Sequence, residues 1–169
     1  FGMGQIGQAI LKRLKGFGFS FIVADPGLSE KQVAEMGATL VDEAALLTSA
    51  DIISLNAPAT ARTTNFFNAA RLAQMQPHAM IVNSARGQLV VENDIALALE
   101  RGLLGGAALD VFHAEPLSMS SRLREAPNLL LTPHAAWYSE AAINRLQGLV
   151  AQDITRALTG DTPRKPVRM

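Results

Sequence analysis

Apolar positions along the chain follow two alternating rhythms, short β-rich runs and stretches with three-to-four spacing, which predict strands and helices in turn. Residues 5–16 place Ile6, Ala9, Ile10 and Leu14 on one helical face, with Gly16 and Gly18 expected to stop the helix. Residues 19–24 form a β-rich run ending at the turn signal Asp25-Pro26-Gly27. Further helices are predicted near 29–36, 42–48, 68–75 and 92–101. Further strands are predicted near 38–41, 51–55, 79–82, 105–109 and 129–131. Ser139 is the expected N-cap of a last helix with the stripe Ile143, Leu146, Val150, Ile154 and Leu158, ended by Gly160. At 1.5 Å per residue that helix is about 30 Å long. The tail 161–169 is polar and proline-bearing and is expected to be loose. Such regular alternation predicts an α/β fold with a doubly wound parallel sheet covered on both faces.

Composition narrows the class. The chain has 169 residues, 49% of them hydrophobic, which suits one domain with a real core. Fifteen Lys+Arg balance fifteen Asp+Glu, and the charged fraction is 18%. That argues against a nucleic-acid or anionic-membrane binder, which needs a basic face. Without cysteine there is no disulfide framework, thiolate metal site or thiol nucleophile. No apolar run reaches the roughly 18 residues of a membrane helix. The sequence starts at Phe1-Gly2-Met3-Gly4, directly inside a glycine loop that should follow a buried strand. The first strand and an N-terminal segment are therefore expected to be missing.

The singular polar residues fall at the carboxyl ends of predicted strands, where open parallel sheets bind ligands. Asp25 closes one strand, and Asn56 and Pro58 follow 52–55. Ser84, Arg86 and Gly87 follow Ile81 and Val82; Asp110 ends 107–109, with Glu115 five residues on. Thr132, Pro133 and His134 follow 129–131.

Gly2-Met3-Gly4-Gln5-Ile6-Gly7 is G-x-G-x-x-G opening a helix. The first glycine permits a tight turn, the second lets backbone N–H groups approach a pyrophosphate, and the third allows close packing. In a chain with 13 glycines the pattern alone is weak. Asp25, 18 positions after Gly7 at a strand end, adds a carboxylate suited to both adenosine ribose hydroxyls and repulsive to a 2′-phosphate. That favours NAD over NADP; the competing reading is an ordinary turn Asp before Pro. His134 supplies an imidazole, the side-chain type suited to moving a proton near neutrality. Glu115 on its far nitrogen would orient it and stabilise the imidazolium. Arg86 is either a surface cation or a planar guanidinium holding a substrate carboxylate through two hydrogen bonds. His78 and His113 are read as structural. Trp137 is either core or a wall of the substrate pocket. Arg164, Lys165 and Arg168 form a mildly basic, solvated tail.

Taken together, Gly2-x-Gly4-x-x-Gly7, Ala24-Asp25-Pro26, 82–87 (VNSARG), 106–111 (GAALDV) and Thr132-Pro133-His134 resemble the Rossmann-type nucleotide-binding domain of the D-isomer-specific 2-hydroxyacid dehydrogenases. The match runs in order over essentially the whole chain. Within that family, 115–118 (EPLS), 126–128 (APN) and 133–140 (PHAAWYSE) resemble the carboxy-terminal binding protein branch, which holds NAD-sensing corepressors and bacterial dehydrogenases. Val91 departs from the usual acidic residue before Glu92, outside the catalytic set.

The resemblance implies three catalytic residues: Arg86 binding the substrate carboxylate and carbonyl, His134 donating the proton, and Glu115 pairing with His134. It implies an NAD site formed by Gly2, Gly4, Gln5, Ile6, Gly7, Asp25, Ala57, Pro58, Thr63, Ser84, Ala85, Arg86, Asp110, His134 and Trp137. No metal is implied. Residues 1–150 would be the NAD-binding domain, and 151–169 the end of the last helix and a tail returning toward an absent substrate domain. The expected activity is NAD-dependent interconversion of a small 2-oxo acid and its D-2-hydroxy acid, in a cytoplasmic homodimer that binds neither nucleic acid nor membrane. The fragment itself is expected to be inactive. The alternative is an NAD(H)-sensing dimeric binding module of the corepressor type with little turnover.

Overall fold

The structure, a computed structural model, describes residues 1–164. Contacts divide the chain into two units, Phe1–His134 and the segment from Ala135 onward. The first unit alternates helices and strands in the predicted order: α1 (Gln5–Leu14), β1 (Ile22–Val23), α2 (Glu30–Glu35), β2 (Thr39–Leu40), α3 (Glu43–Ser49), β3 (Ile52–Leu55), α4 (Ala69–Leu72), β4 (Met80–Asn83), α5 (Glu92–Glu100), β5 (Gly106–Leu109) and β6 (Leu129–Leu131). Short polar side chains start the helices by accepting an orphan first-turn N–H. Ser29 caps α2 in a reciprocal box with Gln32, Asp42 caps α3 through Ala45 N–H, and Asn68 caps α4 through Arg71 N–H.

All strand pairs are parallel, in two sheets ordered β1-β2 and β3-β4-β5-β6. Phe1 and Gly2 join their ends. The Phe1 ammonium donates to the Ser54 carbonyl at 2.9 Å. The Phe1 carbonyl accepts Asn56 N–H at 2.8 Å, and Gly2 N–H donates to the Ala24 carbonyl at 3.0 Å. The larger core packs Leu46, Leu47, Leu72, Ile95 and Leu99 of α3–α5 against Ile53, Leu55, Ile81, Ala107 and Leu109. A smaller core under α1 and α2 holds Met3, Leu11, Val23 and Val33.

Two expectations are corrected. The buried face of α1 is Gly7 and Leu11, not the stripe that included Ile6, which is 64% exposed at the first turn beside the glycine loop. The run 19–24 shortens to the two paired residues of β1, because β2 offers only Thr39 and Leu40 in register. The helices after β2, β3 and β4 all pack on one face of the larger sheet, into the single larger core. Its strands alternate, so Ile52, Met80, Val82 and Leu130 share the opposite face.

The second unit is dominated by α6 (Glu140–Leu158), capped by Ser139 through Ala142 N–H. Its predicted stripe exists as a pattern but is not buried: Leu146, Val150, Ile154 and Leu158 are all at least half exposed. The beginning of the tail is tied down rather than loose and merely solvated. Arg164 forks onto the Asp153 carboxylate at 2.9 and 3.1 Å, and Asp161 N–H donates to the Arg156 carbonyl. Lys165 and Arg168 lie outside the described residues.

Candidate active site

The glycine loop is built by close approach. Gly2 has φ +82°, and a side chain there would start 2.7 Å from the Ala57 backbone nitrogen. A side chain at Gly7 would start 2.7 Å from the Gly2 carbonyl oxygen, so the third glycine packs the helix onto the loop itself. Beyond Gly4 the space is open, with no heavy atom within 4 Å. Gly4 is also the N-cap of α1, with no side-chain cap and no acid in the first turn. An exposed helix N-terminus of ten residues facing open space fits an anionic group.

Asp25 holds this loop in place. Its Oδ2 accepts Met3 N–H at 2.8 Å and its Oδ1 accepts Gly27 N–H at 2.9 Å. Gly2, Gly4, Asp25, Ala57, Pro58 and Thr63 line one cavity of about 1060 Å³. Thr63 shapes its wall: the hydroxyl donates to the Pro58 carbonyl at 2.6 Å and accepts Thr60 N–H at 2.8 Å. Gln5 and Ile6 are exposed at the first turn of α1. A cavity of this size, with a glycine cradle at one wall and a carboxylate at another, suits a dinucleotide.

The second cluster lies at the ends of β4, β5 and β6. Glu115 and His134 meet at 2.7 Å, Oε2 to Nδ1, and the other Glu115 oxygen accepts Phe112 N–H at 3.0 Å. The His134 hydrogen bond, and after it the Phe112 N–H, hold the Glu115 carboxyl below its ordinary value of 4.5. The pair is therefore built around a carboxylate, not a shared acid. His134 has φ +54°, and its N–H donates to the Thr132 carbonyl at 3.1 Å. Both residues line a cavity of about 320 Å³ with Phe112, Leu131, Thr132 and Arg124. Asp110 is buried at the end of β5, where its Oδ1 accepts the Thr132 hydroxyl at 2.5 Å. His78 pairs with Asp51 at the surface, and His113 binds the Val90 carbonyl at 2.9 Å; neither enters this cluster.

Arg86 is exposed, with Nη1 donating to the Ala85 carbonyl at 2.6 Å, and it sits in the turn with Ser84 and Ala85 after β4. That turn abuts the Glu115 segment: a side chain at Gly87 would start 2.1 Å from the Phe112 carbonyl carbon. Trp137 belongs to the second unit, half exposed and edge-on to Tyr138 at 5.8 Å. The structure therefore brings Glu115 and His134 together, draws Gly87 against their loop, and gathers the cradle residues around Asp25. Sequence reasoning missed the Asp25 to Met3 link, the packing of Gly87 on Phe112, and the buried side chain of Asn83. The only signal for the last two was their place within the strand-end run 83–87.

Comparison with known proteins agrees with this geometry. Residues 1–136 match the family model described as D-isomer specific 2-hydroxyacid dehydrogenase, NAD binding domain. D-3-phosphoglycerate dehydrogenase of Synechocystis sp. is 40% identical over 168 residues, covering 99% of this chain and 30% of the relative. Glyoxylate reductase of Korarchaeum cryptofilum is 35% identical over 162 residues, covering 96% of this chain and 49% of the relative. The NAD-complexed D-isomer specific 2-hydroxyacid dehydrogenase of Lactobacillus delbrueckii ssp. bulgaricus superposes with a TM-score of 0.86 at 29% identity, over 99% of this chain and 54% of that one. The chain thus spans about half or less of the length of these relatives. With a glycine cradle, a strand-end carboxylate and a family match over 1–136, this chain belongs to the D-isomer specific 2-hydroxyacid dehydrogenases, as an NAD-binding domain of that family.

Proposed function

We propose that the protein carrying this chain is an NAD-dependent oxidoreductase that interconverts a small 2-oxo acid and its D-2-hydroxy acid. The observation that carries the reading is the 2.7 Å pair of His134 and Glu115 at the same strand-end rim as the glycine cradle. The cradle at Gly2, Gly4 and Gly7, with Asp25, Ala57, Pro58 and Thr63, would hold the dinucleotide, and Ser84, Ala85 and Asp110 would flank its other end. NADH, when bound, supplies the hydride. With Nδ1 engaged by Glu115, His134 presents the proton on Nε2 to the substrate oxygen as it becomes a hydroxyl. Glu115, held ionised, stabilises the imidazolium before transfer and keeps the ring oriented afterwards. Arg86 would hold the substrate carboxylate through paired hydrogen bonds. Asp25 favours NAD over NADP, because its carboxylate repels a 2′-phosphate.

A second domain for substrate recognition is proposed outside this chain, with residues 1–150 serving the nucleotide and 151 onward returning toward that domain. This chain alone is accordingly expected to be inactive. Self-association through this domain belongs to the same proposal, supported by the exposed stripe of α6. A cytoplasmic location is proposed with it. Among the described residues no helix is long and apolar enough to cross a membrane. The assignment to the carboxy-terminal binding protein branch rests on the segments 115–118, 126–128 and 133–140 alone. No observation favours the corepressor-type sensor.

The test is NADH oxidation by the complete protein against a panel of 2-oxo acids, with His134→Ala beside it. Loss of general acid catalysis should lower kcat about a hundredfold or more. Undiminished turnover by His134→Ala removes the assignment.

A further inference from the structure

We propose that Asn83 is a positioning residue, whose buried side chain clamps the turn presenting Arg86 and whose backbone ties that turn to the strand end carrying Asp110. The inference rests on the substrate-binding role proposed for Arg86. Asn83 is the last residue of β4 and is 0% exposed. A buried amide is costly unless both of its ends are satisfied. Here Nδ2 donates to the Arg86 carbonyl at 2.9 Å, and Oδ1 accepts Ala85 N–H at 3.1 Å. One side chain thereby brackets residues 84–86. The Asn83 carbonyl accepts Asp110 N–H at 2.9 Å, so the same residue ties this turn to the end of β5.

The chemistry is specific to asparagine. The turn offers one N–H and one carbonyl, and only a side-chain amide supplies an acceptor and a donor at that reach. An aspartate in its place would set an oxygen against the Arg86 carbonyl. An alanine would leave Ala85 N–H without this acceptor and the Arg86 carbonyl with Leu89 N–H alone. Downstream, Gly87 is fixed by its close approach to Phe112. Arg86 therefore sits between two clamps, with extended backbone at φ −148° and ψ 137°. A long guanidinium side chain makes a planar, two-bond contact only if its main chain is placed beforehand. Loosening the upstream clamp should weaken substrate capture most and dinucleotide binding less, because the glycine cradle and Asp25 line a cavity that Asn83 does not.

The experiment uses the complete protein with Asn83→Ala and Asn83→Asp, each measured three ways. These are steady-state kinetics with NADH and pyruvate or glyoxylate, NADH binding by fluorescence, and hydrogen exchange of residues 84–89. The expected result is a KM for the 2-oxo acid raised about tenfold or more, with NADH affinity lowered by a clearly smaller factor. In an Arg86→Ala background, Asn83→Ala should add nothing further to KM, because both changes remove one interaction. A folded variant with wild-type KM overturns the proposal, and so do additive effects in the double variant. If the wild-type protein reduces no 2-oxo acid, the proposed activity fails by itself and exchange decides for Asn83. Faster exchange confined to 84–87 supports the clamp, and wild-type exchange in both variants overturns it. Loss of NADH binding with faster exchange throughout the sheet in both variants also overturns it, because Asn83 would then hold the sheet rather than the turn.

Discussion

Replacing Gly87 by alanine tests whether the Arg86 turn and the Glu115 segment form one rigid piece. The new methyl carbon would start 2.1 Å from the Phe112 carbonyl carbon, 2.2 Å from its oxygen and 2.6 Å from the His113 nitrogen. All three are backbone atoms, so no side chain can swing aside. Restoring a contact of 3.4 Å from 2.1 Å requires the two segments to part by about 1.3 Å (3.4 − 2.1). The segment that moves begins at Phe112, whose N–H holds Glu115, which in turn holds His134. Overpacking of this kind costs about 1–3 kcal/mol, which for a chain of this size lowers Tm by about 3–10 °C. A misplacement of about 1 Å between reacting groups costs about a hundredfold in rate. Gly87→Ala in the complete protein should therefore lower kcat/KM by about two orders of magnitude while NADH still binds, since Gly87 does not line the dinucleotide cavity. The measurements are Tm by calorimetry, NADH binding by fluorescence and kcat/KM with a 2-oxo acid. A Tm and kcat/KM both equal to wild type would refute the packing argument. A lowered Tm with full kcat/KM would refute the link from that packing to His134.

Two further outcomes are expected. Asp25→Ala removes the acceptor for Met3 and Gly27 N–H as well as the proposed ribose contact, so NADH binding to this chain should weaken about 10- to 100-fold in a fluorescence titration; unchanged affinity refutes both roles. Glu115 is held below its ordinary 4.5, so its contribution to stability is complete above that pH and is lost as pH falls through the lowered value. The Tm gap between wild type and Glu115→Gln should thus narrow as pH is taken from about 6 to about 3, and a constant gap contradicts the pairing.

Local signals carried most of the fold. Ser29, Asp42, Asn68 and Ser139 act within three residues of themselves, and each helix start they mark is where the structure has it. The strand 129–131 likewise needs only its own run of leucines. Ile6 was misread because periodicity identifies an apolar stripe but not what lies beneath it. Here the close packing of Gly7 onto the Gly2 carbonyl turns Gly7 and Leu11 inward and leaves Ile6 facing out. Which helix crosses which face of the sheet is illegible for a related reason, because a strand's composition does not state it.

The same division runs through the site. Glu115 is assigned to His134 because a carboxylate on the far nitrogen orients an imidazole and stabilises its protonated form, chemistry that does not depend on the fold. The groups that place the catalytic ones follow from no such chemistry. Asn83 and Gly87 react with nothing. Their identities are set by a carbonyl, an N–H and a neighbouring backbone that meet only after β4 and β5 have paired. Asp25 carries both kinds of information. Its distance from the glycine loop suggested a ribose contact, yet its oxygens also accept the N–H groups of Met3 and Gly27. A residue that shapes the loop it serves cannot be changed for cofactor preference without loosening the cradle. An Asp25→Ala variant should accordingly bind NADPH no better than wild type binds NADH, even though the repulsive charge is gone.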